Sequence, residues 1–144
     1  MPAPLAVAPS TRRELEHEVL VLILVSLGVQ LVYPYRHDLP AHLVGGAGAM
    51  LMVTAAAPRA WGKAAPILGY ALLVVVGWIS EHLVFGPPDP VDVAFTLAGS
   101  LLPLAFCDRI RDRETPWRGS VLTAGLALIA GSLAYRYGMS RGAA

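Results

Sequence analysis

Two residue pairs stand where side chains could work together. Asp38 and His42 are four residues apart, and so are Asp92 and Thr96. At that spacing two side chains lie on one face of a helix. Between the pairs, Trp78 and Glu81 close an apolar run. Histidines and carboxylates of this kind bind Zn²⁺ or Mn²⁺, and a carboxylate beside a metal-bound water can act as its base. Without a metal, Glu81, His42 and Asp92 could relay protons. His42, Glu81, Asp92 and Asp38 are therefore the candidate catalytic residues, and Thr96, Trp78 and Arg36 the candidate substrate-binding ones. A divalent metal is compatible with this set, and nothing in the sequence requires one.

Each of these residues also has a plain structural role. Asp38 precedes Pro40 and could cap a helix. In Asp89-Pro90-Val91-Asp92, Asp89 reads as the N-cap, Pro90 as the first helical residue and Asp92 as a capping-box acid. Glu81 could pair with Arg36 or reach out of the bilayer, and His82 could face lipid headgroups. His17, among Glu14, Glu16 and Glu18, reads as part of a solvated helix start. No GxGxxG, GxSxG, HExxH or Walker pattern occurs.

The elements that must position these residues follow from composition. The chain has 144 residues, 56% hydrophobic and 15% charged, with mean hydropathy +0.58. A chain this short exposes a large share of its surface, and so few charges could not cover it in water. A soluble monomer is excluded on that ground, and so is a disordered chain. One cysteine, Cys107, excludes a disulfide scaffold, and a net charge of +1 gives no support to a nucleic-acid partner. Charges divide the chain into five apolar runs, 19–35, 39–58, 64–86, 93–107 and 119–135. Each reaches or approaches the ~17–25 residues of a spanning helix, and none alternates as a barrel strand would. The expected fold is all-α, a polytopic integral membrane bundle of five transmembrane helices. Residues 1–11 read as a flexible tail, 12–138 as one transmembrane domain and 139–144 as a short C-terminal tail.

Basic residues orient the bundle. Five spans put Arg12, Arg13, Arg59, Lys63, Arg109, Arg111, Arg113 and Arg118 on one side and Arg36, Arg136 and Arg141 on the other. Basic loops stay in the cytoplasm, so the N-terminus is expected inside and the C-terminus outside. Trp61 and Trp117 then mark the inner boundary, and Tyr33, Tyr35, Tyr135 and Tyr137 the outer one. Asp38, His42, Glu81, His82 and Asp92 all fall at the outer face.

Helix phase separates a site from scattered caps. Asp92, Thr96, Gly99 and Pro103 form one stripe, His42, Gly45, Gly46 and Ala49 another, and Gly77 and Glu81 a third. Small residues let membrane helices approach closely, so these stripes are expected to face one another. Gly125, Ala127 and Gly131 offer a further close contact in the last helix.

With these residues in view, the chain resembles the VanZ-like membrane proteins over residues 33–106: a helix opening Asp38-x-x-x-His42, a later one ending in Glu81, and a third opening Asp92-x-x-x-Thr96-x-x-Gly99. Gly46 and the Trp78–Glu81 pair are also similar to the YjdF-type proteins. The chain departs from the VanZ-like pattern at Leu39, where Lys is usual, at Thr96, where Asn is usual, and in having no Arg between Glu81 and Asp92. The resemblance implies a protein of the bacterial cytoplasmic membrane, in contact with lipids and lipid-linked envelope precursors and contributing to glycopeptide or lipopeptide resistance. Two other classes compete with it. One is a membrane-embedded metal hydrolase or transferase acting on a lipid headgroup. The other is a small transporter, against which no ionisable residue lies on the cytoplasmic half of any span.

Overall fold

Each of the five apolar runs contains a helix. A computed structural model of the chain describes residues 9–80, 82, 83, 89–104 and 116–142. Among these residues there are five α-helices and no strand: α1 (Pro9–Val32), α2 (Asp38–Ala56), α3 (Ala65–Ser80), α4 (Pro90–Leu104) and α5 (Pro116–Gly142). The first helix starts three residues before the expected boundary, because Pro9 is tolerated in a first turn. The last runs on through Met139 to Gly142, into the segment expected to be a tail. A turn closed by the Arg36 amide donating to the Tyr33 carbonyl (3.0 Å) joins α1 to α2. Between α2 and α3 the chain makes a 3₁₀ segment, Arg59–Ala64. Within it Gly62 has φ +49°, a left-handed conformation that suits glycine.

α2 is the axis of the bundle, and glycines decide what lies against it. A β-carbon on Gly46 would overlap the Thr96 carbonyl, and one on Gly99 would overlap the Leu43 carbonyl, so α2 and α4 touch backbone to backbone. Gly48 and Gly125 meet in the same reciprocal way, each with the other's carbonyl oxygen 2.7 Å from where a β-carbon would sit. This binds α5 to α2, and Gly45 lies against the Ser132 side chain. The expected stripes on α2 and α4 are thus contact surfaces. Gly125 also meets the expectation, but Gly131 and Gly77 do not: among the described residues, an added β-carbon at either would meet no neighbour within 4 Å. Between the helices lie Leu39, Met50 and Val121, all fully enclosed, and a cluster of Leu22, Leu43 and Ala47 with Phe95 and Leu128.

Among the described residues, large apolar side chains are exposed on four of the five helices. Leu24, Leu27, Leu31 and Val32 of α1, Ile67, Leu72, Val75 and Ile79 of α3, Val91 and Leu101 of α4, and Leu126 and Leu133 of α5 are all exposed. Two helical stretches, Asp38–Ala56 and Gly119–Met139, are long and apolar enough to cross a membrane. α3 and α4 are shorter apolar helices of 16 and 15 residues. α1 has 24 residues, but its first half carries Arg12, Arg13, Glu14, Glu16 and Glu18.

Candidate functional site

Arg36 is the hub of the polar end. Its Nη2 donates to Asp38 Oδ2 at 2.8 Å, Asp92 Oδ1 at 2.9 Å and Asp89 Oδ2 at 3.0 Å. Its Nε reaches both Asp38 oxygens at 3.1 Å. The two hydrogens of Nη2 therefore serve three carboxylates, and one must be shared. The three acids come from the starts of α2 and α4, and the arginine from the turn before α2, so this group ties two helix ends together. Hydrogen bonding to Asp38 raises the guanidinium pKa further above its already high ordinary value, so Arg36 stays cationic.

The capping roles are only partly kept. Asp89 does cap α4: its Oδ1 accepts from the Val91 amide at 2.8 Å while Oδ2 accepts from Arg36. Asp38 is not a cap. The N-cap position of α2 is His37, with no side-chain cap bond, and Asp38 is a first-turn acid turned to Arg36. Asp92, three residues past the cap, points its oxygens at Arg36 and His42.

One turn further in, His42 gathers the rest. Its Nδ1 is 3.0 Å from Thr96 Oγ1, and its Nε2 is 3.2 Å from Asp92 Oδ2 and 3.3 Å from Arg136 Nη1. Both His42 and Asp92 side chains are about nine-tenths enclosed, at 10% and 8% exposure. The Thr96 hydroxyl donates to the Asp92 carbonyl at 3.0 Å, back along its own helix. With that proton committed, Nδ1 must be the donor to Thr96. Neutral His42 then has a bare Nε2, which accepts from Arg136; the imidazolium would instead donate to Asp92. Protonation of one ring thus chooses between a guanidinium on α5 and a carboxylate on α4.

Asp38, His42, Asp92, Thr96 and Arg36 are brought together; the partner expected for Arg36 is Glu81, and the acids it meets are Asp38, Asp89 and Asp92. Glu81 lies outside the described residues. Trp78, expected to bind substrate, is 52% exposed and stacks on His82 with ring centroids 5.9 Å apart. It is turned out of the bundle, because its neighbours Val76 and Gly77 occupy the inward face. Arg136 is the residue that sequence reasoning passed over. Gly125, Ser132 and Arg136 are spaced 7 and 4 along α5, one stripe of a helix, and Gly125 was already marked as a contact.

Below the cluster lies a cavity of about 370 Å³, between α2, α3, α4 and α5. Its polar wall is His42, Thr96, Ser80, Ser132 and Arg136; the rest is Ala, Val, Leu, Ile and Gly. Among the described residues no three His, Cys, Asp or Glu side chains form a metal-binding group. Of the described acids at this end, Asp38, Asp89 and Asp92 all converge on the Arg36 guanidinium. Comparison with protein-family models, curated proteins and solved structures returns no match.

Proposed function

We propose that the chain is a VanZ-like, five-span protein of the bacterial cytoplasmic membrane, N-terminus inside and C-terminus outside. Its polar cluster engages a lipid-linked component of the envelope at the outer face, and through it the protein contributes to glycopeptide or lipopeptide resistance. The observation that carries this reading is the join between the Arg36–Asp92–His42–Arg136 network and an apolar-walled cavity. A site half polar and half apolar suits a molecule with the same two halves. The membrane location is supported by the large hydrophobic side chains exposed on α1, α3, α4 and α5, more than a water-facing surface ordinarily carries. The orientation is supported by the eight basic residues on the N-terminal side against three on the other.

Two measurements test it. A periplasmic-type reporter fused after Ala144 is expected to be active, and a cytoplasmic reporter there inactive; the reverse pattern removes the five-span topology. Deleting the gene is expected to raise susceptibility to a glycopeptide or lipopeptide. The wild-type chain should restore resistance, and His42→Ala or Arg36→Ala should not. Unchanged susceptibility on deletion removes the resistance reading.

A further inference from the structure

We propose that α1 docks on the bundle through Glu18 as a neutral carboxylic acid, and that loss of its proton loosens the inner end of the helix. The helix then responds to the pH of the cytoplasm. From the reading above the inference takes only which side that is.

Glu18 stands where an apolar residue is expected. It is half-buried, while Glu16 and His17 beside it are exposed. Four residues on, Leu22 is 3% exposed and packs with Leu43 and Ala47, so Glu18 shares the inward stripe of α1. The residue lines a narrow cleft with Leu22, Ala47, Leu51, Leu102, Pro103 and Leu128, drawn from α1, α2, α4 and α5. The rest of that wall is apolar. Among the described residues no hydrogen bond or ion pair reaches Glu18.

The charged groups of the packed helices stand elsewhere along them. Those of α2 and α4 are Asp38, His42 and Asp92, and α5 carries Arg118, Tyr135, Arg136, Tyr137 and Arg141. At about 1.5 Å per residue, His42 is about 7 Å along its helix from Ala47, Asp92 about 15 Å from Leu102, and Arg118 and Arg136 about 15 and 12 Å from Leu128. On α1 itself Arg13 is exposed. The side chains of Arg12 and Glu14 and the 105–115 connection lie outside the described residues. Burial alone acts on Glu18, and lifts its pKa from the ordinary 4.5 to about 7.

The rest of the hold on α1 is light. Glycine contacts fix α4 and α5 on α2, but Gly28 of α1 meets no described neighbour within 4 Å. Tyr135 ties the outer end of α1 to α5 through Gln30. The inner end has Leu22 and Glu18. An ionised carboxylate is costly in an apolar cleft, and Glu18 directly precedes the charge-free run, so it reaches water by a short outward movement of the helix. A carboxyl with its docked pKa above its free one gives docking that is strongest below about pH 4.5, weakens between there and about 7, and falls no further above.

The test uses the full chain in phosphatidylcholine nanodiscs, where both faces meet one buffer. Spin labels replace Leu20 of α1 and Leu101 of α4, both exposed, in a Cys107→Ser background. A short-distance population is expected at about pH 5, its ratio to longer distances falling about tenfold by about pH 8. Glu18→Gln, a neutral side chain of the same shape, should hold the short distance at both. In the unlabelled wild-type chain, dicyclohexylcarbodiimide, which modifies protonated carboxyls in apolar surroundings, should react at the peptide carrying Glu18 with a midpoint of about 7. Equal distances at the two pH values in the Glu18 chain, a shift that persists in Glu18→Gln, or a reaction midpoint at the ordinary 4.5 overturns the proposal. A C-terminal reporter active in the cytoplasm ends the five-span topology instead, and leaves the pH response in nanodiscs as it is.

Discussion

α2 and α3 are both apolar helices, and they have opposite fates. α3 is built largely of Leu, Val and Ile, yet only Ala65 and Gly69 of its residues are buried. α2 is richer in Gly and Ala and carries Asp38, His42 and Thr54, yet most of it is buried, including Gly46, Gly48 and Met50. In a water-soluble protein the order would be reversed, since the large aliphatic residues go inside. Here smallness and polarity decide what is interior. Close approach of backbones needs glycine, and polar groups need partners away from an apolar surround. Large aliphatic side chains are left to face outward, which is the pattern expected where the solvent is hydrocarbon.

The comparison can be broken most sharply at its glycines. Gly46→Val should cost more than the ~1–3 kcal/mol of ordinary overpacking, because the added atoms meet the Thr96 backbone rather than a movable side chain. Gly77→Val should be neutral in stability, since no described neighbour lies near its β-carbon. Size-exclusion profiles and thermal midpoints in detergent compare the two, and equal tolerance would mean that α2 is not the closely packed axis. Next in size is Met50→Ala, at 0% exposure, against Ile67→Ala, at 73%. The first is expected to cost about 2–5 kcal/mol, and the second no more than about 0.5 kcal/mol. A large loss at Ile67 would show that α3 is covered, for instance by a second copy.

Smaller effects sharpen the polar end. Arg36→Gln leaves three carboxylates together, but the arginine is 40% exposed, so solvent screening reduces the loss to about 1–2 kcal/mol. Chemical unfolding checks this, and a variant as stable as the wild type would reduce the hub to a surface contact. Trp78→Leu is expected to change stability by less than about 0.5 kcal/mol. Chemical unfolding checks this as well, and a larger loss would mean that the ring, 52% exposed here, is covered.

Much of this was legible residue by residue. The Asp38–His42 and Asp92–Thr96 pairs, and the glycine stripes of α2 and α4, depend on spacing within one helix. Helical spacing is local geometry. What spacing could not reveal is which faces meet. Gly77 has the same appearance as Gly46 in sequence, and only the neighbouring helix distinguishes them. Asp89 reads as a cap and is one, but its second oxygen completes the Arg36 group from 53 residues away. Tyr135, taken as an interfacial anchor, also donates to Gln30 Oε1 at 2.8 Å and ties α5 to α1.

The sequence alone therefore determined the all-helical class, the apolar runs and the residues that share a face, because each follows from composition or from the helical repeat. Only the tertiary structure decided that Arg36 stands among three acids where a metal was conceivable, that Arg136 joins His42, and that Trp78 looks outward. These outcomes depend on how the helices are rotated against one another. Two backbone contacts, Gly46 and Gly99 with α4 and α2, and Gly48 with Gly125, set that rotation.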